Sequence, residues 1–377
     1  MRIGIDARML GFSGIGRYTE NIIQELLQID KKNEYVLFVQ KKFQSSNHPI
    51  IQSSNFKAIE VDAPIYSLKE QSNFLRAVVK QKLDVMHFTH FNVPFLYRRP
   101  YIVTIHDLTP LYFPGKKRNS FLEKSAYKLI LKNALKNSKK IIAVSNFTKK
   151  DILKNFPSIK KEKITVIYEG AGAADAAKCK IKNAKCKITI KNSKLKIDNY
   201  ILYVGVWREH KNLKGLICAF EKLKSQGSKF KALKLVIVGR PDPIYKEVEL
   251  ATENSKYKND IILTGYVKNE ELPLLYKNAT AFVFPSFYEG FGLPPLEAMS
   301  LGLPVVSSNT SSLPEILADA ALYFNPRNTK DMVEKIKKVV LDKKLRSMLI
   351  EKGKKQVLKY SWREAAKETL KIYKMIS

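Results

Sequence analysis

The sequence predicts an α/β protein, with two doubly wound, Rossmann-like domains that face each other across an interdomain cleft. Short apolar runs alternate with helical patterns almost throughout the chain, as is typical of parallel sheets with crossover helices. This alternation stops within residues 171–198 and then restarts, and 377 residues are enough for two separate cores. Because strand ends of the two domains would face the cleft, we expect the ligand there.

Residues 1–170 form the first predicted domain, and it contains seven apolar segments expected to be strands. In chain order these are RIGIDA, YVLFVQ, FKAIEV, VMHFTH, YIVTIHD, KIIAVS and ITVIYEG. Helical periodicity predicts helices near residues 15–29, 69–82, 119–138 and 147–156. Gly14 and Gly16 stand just ahead of the first of these helices, where a flexible turn between strand and helix is one explanation and a phosphate-binding loop is another.

Residues 171–198 differ in composition from the rest of the chain. They contain eight lysines, with no acid between Asp175 and Asp198, and the stretch KCKIKNAKCKI nearly repeats itself. With no clear apolar face, the segment is predicted to be a lysine-rich linker or insertion.

Residues 199–360 form the second predicted domain. Its expected strands are YILYVGV, LKLVIVG, DIILTGYV, TAFVFPS, LPVVSSN and ALYFNP. Helices are predicted near residues 212–226, 244–256, 269–277, 295–301, 329–341 and 343–359. The amphipathic residues 361–377 are predicted to form a C-terminal helix that packs back on the N-terminal domain.

The net charge of +32 comes mostly from lysine, with 55 lysines against 12 arginines. Proteins that read nucleic acid favour arginine for bidentate contacts, so lysine spread over solvated surfaces explains much of the charge, and no nucleic-acid partner is expected. An attraction to anionic lipids or anionic substrates remains. The three cysteines fit neither a disulfide framework nor a zinc site, and no export signal precedes the first strand. We therefore expect a cytoplasmic location.

The stretch FPSFYEGFGLPPLEAMSLGLPVV, residues 284–306, places Glu289 and Glu297 around a glycine-rich turn. Pro294 and Pro295 suit the start of a helix, where missing amide donors cost little. Backbone amides at such a helix start favour anions, and carboxylates accept hydrogen bonds from vicinal hydroxyls. Solvated acids near a helix start would give the same pattern.

The same stretch resembles the E-x7-E signature of glycosyltransferase family 4, whose members are retaining nucleotide-sugar enzymes with the GT-B fold. The similarity extends to MRIGIDARMLGFSGIGRYTENIIQEL, VTIHDLTPLYFP, AVSNFTKKDI, VIYEG, ILYVGVWREHKNL and SWREAAKETLKIYK, in the family's order. It covers nearly the whole chain except residues 171–198. The segments IDARML, GIGRY and HFTHFNVP most resemble mannosyltransferases of polysaccharide assembly that use GDP-mannose.

The resemblance implies roles for residues of the second domain. Arg208 and Lys211 would bind the donor diphosphate and, with amides near Gly290, stabilise charge that develops as the glycosidic bond breaks. Glu297 would hold the ribose hydroxyls and Glu289 those of the donor sugar. Gly205 would keep the strand end open beside the diphosphate. The whole set of donor-contacting residues expected in this domain is Gly205, Arg208, Lys211, Glu289, Gly290, Phe291, Gly292, Leu293 and Glu297.

In the first domain, the resemblance places Gly14 and Gly16 over the diphosphate and the acceptor. It places His106 near the reacting carbon of the donor sugar, as a catalytic residue beside Arg208, Lys211 and Glu289, although a lone histidine at a strand end is more often structural. His87 and His90 lack a third ligand nearby and are expected to line the cleft. No Asp-x-Asp motif occurs in the sequence, so neither a catalytic metal nor any other cofactor besides the donor substrate is expected.

The implied reaction is transfer with retention, in which the acceptor hydroxyl attacks from the face that the diphosphate leaves. No side-chain nucleophile is evident, which fits this route better than a covalent intermediate. The acceptor would be a glycan, either lipid-linked or part of a surface polysaccharide. Residues 116–140 form a basic amphipathic segment that would lie on the inner face of an anionic membrane, although a core-packed helix with a lysine-rich face fits equally well.

Two other classes of protein are compatible with parts of the sequence. A nucleotide-sugar epimerase or a phosphorylase would share the fold, but the sequence has no local signature for either. A polyanion-binding or nucleic-acid-binding protein is supported only by the net charge, and it predicts clustered arginines interleaved with exposed aromatic residues. The lysines are instead spread along the chain.

Overall fold

The computed structural model describes residues 1–12, 14–40, 56–115, 121–171, 187–190, 193–196, 199–268 and 270–376. The chain divides into two compact units. Unit 1 comprises Met1–Pro114, Arg118–Gly170 and Ser361–Ser377, and unit 2 comprises Gly115–Lys117 and Ala171–Tyr360.

Unit 1 is built on a seven-stranded parallel sheet. Its strands are β1 (Arg2–Asp6), β2 (Glu34–Gln40), β3 (Phe56–Val61), β4 (Val85–Phe88), β5 (Tyr101–Ile105), β6 (Lys140–Ala143) and β7 (Ile164–Val166). The strands lie in the order β3-β2-β1-β4-β5-β6-β7, which is the doubly wound order that reverses beside β1. Every residue of β4 and β5 is buried, because helices cover both faces of such a sheet.

The helices between these strands confirm the predicted periodicity. They are α1 (Gly14–Ile29), α2 (Leu75–Lys80), α3 (Thr109–Tyr112), α4 (Phe121–Asn137) and α5 (Asn146–Asn155). One predicted helix, near residues 69–82, is divided, since a π-helical turn over Glu70–Phe74 precedes α2. α1 begins at Gly14 itself, so Gly14 and Gly16 lie in its first turn rather than ahead of it.

The described parts of the lysine-rich segment form a two-stranded antiparallel hairpin. β8 (Lys187–Ile190) pairs with β9 (Ser193–Lys196), and Ile188 lies opposite Leu195. No strand was predicted here, although polar and apolar residues alternate with period 2 in KITI and two lysines flank the apolar Leu195 in SKLK. The rest of the predicted linker, residues 172–186, 191–192 and 197–198, lies outside the described residues.

Unit 2 repeats the same topology on a six-stranded parallel sheet. Its strands are β10 (Tyr200–Val204), β11 (Lys234–Val238), β12 (Ile261–Gly265), β13 (Ala281–Phe284), β14 (Val305–Ser308) and β15 (Ala321–Phe324), in the order β12-β11-β10-β13-β14-β15. Its helices are α6 (Leu213–Lys224), α7 (Glu247–Glu253), α8 (Leu272–Asn278), α9 (Leu293–Ser300), α10 (Leu313–Leu317), α11 (Thr329–Leu341) and α12 (Lys343–Val357). Every predicted strand of both domains is therefore present.

The last helix, α13 (Trp362–Ile376), belongs to unit 1 and packs along α1. Its apolar face includes Trp362, Ala366 and Tyr373, which recur at helical spacing and are buried. The Tyr18 ring on α1 meets the Trp362 indole edge-on, with 6.0 Å between the ring centroids. Gly170 lies so close that a Cβ there would be 2.3 Å from the Trp362 backbone nitrogen, so the chain enters unit 2 through a tightly packed position.

Candidate functional site

The acidic turn identified in the sequence follows β13 and is fixed by serines from the loop after β14. The Ser312 hydroxyl donates to the backbone carbonyls of Glu289, at 3.1 Å, and Phe291, at 3.0 Å. The Glu289 amide in turn donates to Ser311 Oγ at 2.9 Å. Because β13 and β14 are neighbours in the sheet, their loops meet at one edge and hold the turn in a single conformation.

α9 begins directly after this turn, as the two prolines predict. Gly292 precedes the helix with a φ of +106°, and a Cβ there would lie 2.8 Å from the Leu313 side chain. Both the backbone angle and the close contact favour glycine at this position. Gly290 and Leu293 are buried beside it. Glu297 lies in the second turn of α9, since the helix begins at Leu293.

Lys211 and Glu289 form an ion pair at this edge of unit 2. Lys211 Nζ donates to Glu289 Oε1 at 2.6 Å, and the two side chains are only 14% and 12% exposed. The ammonium group also lies 5.6 Å from the centre of the Phe284 ring. The cation predicted to bind the diphosphate and the carboxylate predicted to bind the sugar are thus directly paired.

The loops that carry this ion pair are bonded to each other through the backbone. The Phe287 amide donates to the His210 carbonyl at 2.8 Å. The Asn212 side-chain amide donates to the carbonyls of Pro285 and Pro326, each at 3.1 Å. Asn212 adopts a left-handed φ of +54°, a conformation that asparagine tolerates better than most residues. Loops from β10, β13 and β15 are therefore fixed relative to one another.

Arg208 differs from Lys211 in its surroundings. Its side chain is 57% exposed and lies at a long distance of 3.8 Å from the Asp242 carboxylate. Between the two cations lies His210, which sequence reasoning missed. Burial, and then the charges of Lys211 and Arg208, hold the pKa of His210 well below its ordinary value. The neutral imidazole leaves the two cations as the positive groups of this loop.

Tyrosines flank the two glutamates. The Tyr276 hydroxyl donates to Glu297 Oε2 at 3.2 Å. Burial, followed by the nearby Glu289 carboxylate, raises the pKa of Tyr203 well above its ordinary value, so this phenol stays protonated. A Cβ on Gly205 would lie 2.6 Å from the Tyr203 hydroxyl, which explains why the end of β10 carries glycine.

In unit 1, the two glycines of the first helical turn have different environments. A Cβ on Gly16 would approach the Met9 carbonyl oxygen to 2.5 Å, whereas a Cβ on Gly14 would meet nothing within 4 Å. Gly16 is therefore needed for close packing of α1 on the preceding loop. Packing gives no such reason for Gly14.

His106 follows β5 and has partners at both of its ring nitrogens and at its backbone carbonyl. Its Nε2 lies 2.9 Å from the Thr89 carbonyl oxygen and its Nδ1 lies 3.1 Å from Glu169 Oε1. The Tyr18 ring meets the imidazole edge-on at 4.8 Å, and the Thr148 hydroxyl donates to the His106 carbonyl at 3.2 Å. Glu169, in the VIYEG segment, had no predicted role, because nothing in the sequence relates it to a histidine 63 positions away.

The two histidines of the HFTH segment, His87 and His90, are both buried. His87 is fully buried, with Nδ1 2.7 Å from the Tyr373 hydroxyl and Nε2 2.8 Å from Thr104 Oγ1. His90 is 8% exposed. The expectation that they line a cleft is wrong for His87, because β4 is a central strand and His87 lies within it.

A buried charge cluster, missed in the sequence, occupies the end of β1. Arg8 forms ion pairs with Asp6, at 2.8 Å, and Glu70, at 2.7 Å. Its guanidinium group lies 3.6 Å from the centre of the Phe74 ring, and Asn92 donates to the second oxygen of Glu70. The sequence contained an indication of this cluster, because Asp6 and Arg8 lie at the end of a buried strand, and buried charges need partners.

Helical spacing predicts one apolar face for the lysine-rich helix, with Phe121, Ala126, Leu129, Ile130 and Leu135, and this prediction is partly wrong. In α4, Tyr127, Leu131, Ala134 and Leu135 are buried, whereas Ala126 is exposed and Leu129 is 58% exposed.

Within the described ranges, no helix is long and apolar enough to cross a membrane. Nor does any group of three or more histidine, cysteine, aspartate or glutamate side chains in the described part of the chain lie close enough to hold a metal ion.

Comparison with known proteins identifies the class. A family model described as "Glycosyltransferase Family 4" matches residues 12–172, and one described as "Glycosyl transferases group 1" matches residues 185–356. Two Rossmann-like domains with these matches define a GT-B glycosyltransferase. The chain therefore carries the family 4 and group 1 domains of such an enzyme.

Three individual proteins illustrate the similarity. The O-antigen chain mannosyltransferase B of Escherichia coli is 29% identical over 386 aligned positions, which cover 97% of this chain and 96% of that protein. The fold matches the sucrose-phosphate synthase of Thermosynechococcus elongatus with a TM-score of 0.76 at 18% identity, covering 100% and 98% of the two chains. It also matches Anabaena HepE, solved with UDP and glucose, with a TM-score of 0.74 at 15% identity, covering 98% and 99%.

Proposed function

We propose that the chain transfers a hexose, mannose from GDP-mannose, to a hydroxyl of a lipid-linked or polysaccharide acceptor, with retention of anomeric configuration and without a metal. The observation that carries this proposal is the ion pair of Lys211 with Glu289 on loops fixed to each other at one sheet edge of unit 2, with Arg208 on the same loop as Lys211. Mannose is supported by the similarity to the mannosyltransferase that builds O-antigen chains.

The geometry supports a division of labour in donor binding. Arg208, which is exposed and only loosely paired, is free to reach a diphosphate by bidentate hydrogen bonds. Lys211 adds a cation whose position is already fixed by Glu289. The buried amides of the turn from Gly290 to Leu293 lie at the start of α9, where an anion is favoured.

Glu289 and Glu297 would accept hydrogen bonds from hydroxyl groups of the donor sugar and the ribose. Glu289 keeps one carboxylate oxygen besides the one bonded to Lys211, and Tyr276 bonds one oxygen of Glu297. As the bond to the diphosphate breaks, the two cations stabilise the growing negative charge. The leaving phosphate oxygen then takes the proton of the attacking acceptor hydroxyl on the same face, so no side-chain base is required.

The proposal also includes binding of the protein to the cytoplasmic face of an anionic membrane, where a lipid-linked acceptor would lie. Lys124, Lys128, Lys132 and Lys136 are all exposed along α4 beside Leu129. Phe95 and Leu96, 40% and 65% exposed, lie next to this helix, because Asn133 bonds the Phe95 carbonyl at 3.4 Å. Each basic residue near an anionic surface contributes about 1 kcal/mol.

Co-sedimentation with vesicles should therefore require anionic lipid, and it should weaken in the variant Lys128→Glu/Lys132→Glu. Equal binding to neutral vesicles would contradict the proposed membrane contact.

Thermal stabilisation of the purified protein by a panel of nucleotide sugars and free nucleotides tests the donor. We expect GDP-mannose and GDP to raise the melting temperature, and Glu297→Ala to abolish that shift. Glu334→Ala, which removes an exposed glutamate of α11 in the same unit, is the matched control and should keep it. Stabilisation by a different nucleotide sugar would show that GDP-mannose is not the donor. If no nucleotide raises the melting temperature, the proposal is contradicted.

A further inference from the structure

The imidazole of His106 faces hydrogen-bond acceptors at both of its nitrogens. A peptide carbonyl oxygen, such as that of Thr89 at 2.9 Å from Nε2, can only accept. An ionised carboxylate, such as that of Glu169 at 3.1 Å from Nδ1, also only accepts. While Glu169 is ionised, both bonds form together only if the ring carries a proton on each nitrogen.

The ring cannot easily turn to a different set of partners. Thr89, His106, Thr148 and Glu169 follow the adjacent strands β4, β5, β6 and β7. Thr148 holds the His106 backbone, while Tyr18 covers one edge of the ring. The Glu169 side chain is 5% exposed and that of His106 is 11% exposed, so water competes little for these bonds.

We propose that Glu169 is a positioning residue that keeps His106 as an imidazolium, with both of its N–H groups donated inside unit 1. The meaning of this inference for catalysis rests on the proposed function. A histidine in this state cannot take the proton of an acceptor hydroxyl, so it would not act as a base. The ring edges left for a substrate carry only carbon-bound hydrogens.

The charges around the ring agree with this geometry. Burial alone would lower the pKa of His106, but the Glu169 hydrogen bond and charge, the Thr89 carbonyl and the Asp107 charge together raise it. His87 is the other histidine that interacts with it. Burial, and to a lesser extent the His106 charge, lower the pKa of His87 to about 3, so His87 stays neutral. Tyr18 also stays neutral, because burial raises its pKa.

Nuclear magnetic resonance of the full chain, with 15N- and 13C-labelled histidine, tests the inference directly. The sequence has five histidines, and the signal lost in His106→Gln identifies the one in question. In the wild type, we expect both ring nitrogens of His106 to show protonated shifts at pH 7, because the ring titrates above the ordinary range of a histidine. In Glu169→Gln, the titration should move down to 6.5 or below, because the amide carries no charge.

Glu162→Gln is the matched control, since Glu162 is an exposed glutamate just before β7, the strand that Glu169 follows, and it should leave the titration unchanged. Glu169→Asp, which keeps the charge, should retain part of the upward shift even if Glu169→Gln folds poorly. A neutral His106 at pH 7 in the wild type, or the same titration in Glu169→Gln, would overturn the inference. No donor is needed for these spectra, so a failure of donor binding and a failure of this inference remain distinguishable.

Discussion

Lys211 and Glu289, 78 positions apart in the sequence, are joined by a hydrogen bond of 2.6 Å between Nζ and Oε1. The two groups predicted to bind different parts of one donor therefore also bind each other. Each holds the other in place, because a charge with little exposure is stable only beside its partner. Preorganisation of this kind is what a site for a charged transition state needs.

Removal of either member of this pair should destabilise unit 2. We expect Lys211→Met or Glu289→Gln to lower the free energy of unfolding by on the order of 3 kcal/mol, because each leaves one charge with little exposure and no partner. The double variant should lose less than the sum of the two. Trp207 lies in unit 2 and Trp362 in unit 1, so urea unfolding followed by tryptophan fluorescence in a Trp362→Phe background reports on unit 2.

The control for this cycle is Asp319→Asn, which breaks the more exposed pair between Asp319 and Lys352. It should change stability little, since surface ion pairs are weak. Additive losses in the Lys211 and Glu289 double variant would show that the two side chains are not energetically coupled.

Alanine at Gly14 and Gly16 should separate packing from function. Gly16→Ala should destabilise unit 1 by roughly 1–3 kcal/mol, because its Cβ would overlap the Met9 carbonyl. Gly14→Ala should stay within about 0.5 kcal/mol of the wild type, yet reduce transfer if the loop contacts the donor. Melting temperature and transfer rate are the measurements. Full activity in Gly14→Ala would remove Gly14 from the predicted site.

His87 should make the protein sensitive to acid. Its pKa is lowered to about 3 in the folded chain, so its contribution is fully present above pH 6.5 and is lost as the pH falls toward 3. The loss approaches about 1.4 kcal/mol for each pH unit in that window. Between pH 7 and pH 5, His87→Gln should therefore lose less stability than the wild type. Equal losses in both proteins, measured by urea unfolding at each pH, would contradict this.

The Arg8 cluster should show the cost of a buried charge without its partner. Arg8→Met leaves Asp6 and Glu70 buried together, and we expect unit 1 to lose roughly 3–5 kcal/mol. Asp6→Asn/Arg8→Met/Glu70→Gln should recover much of this loss, because the carboxylates become neutral. Unfolding of a Trp207→Phe background, followed through Trp362, measures the effect. A triple variant no more stable than Arg8→Met would show that the guanidinium acts mainly through packing on Phe74.

The elements that follow from local pattern were predictable, and those that depend on distant pairs were not. Continuous apolar runs such as YILYV specify buried strands, and Pro294–Pro295 specify the start of α9, because both effects act within a few residues. The partnership of His106 with Glu169 depends on which strand ends become neighbours. The lysine-rich face of α4 was predicted, but its apolar register was not, since several hydrophobic residues lie on both sides of that helix.

The membership of α13 in unit 1 has a consequence for biosynthesis. A ribosome makes α1 early, yet the helix that covers α1 emerges only after the whole of unit 2. Until then, the faces of Tyr18 and His87 that meet Trp362 and Tyr373 lack their cover. The nascent chain thus passes through a stage in which unit 2 can be complete while unit 1 lacks its final helix. During that stage the uncovered apolar surface of unit 1 is available to a chaperone.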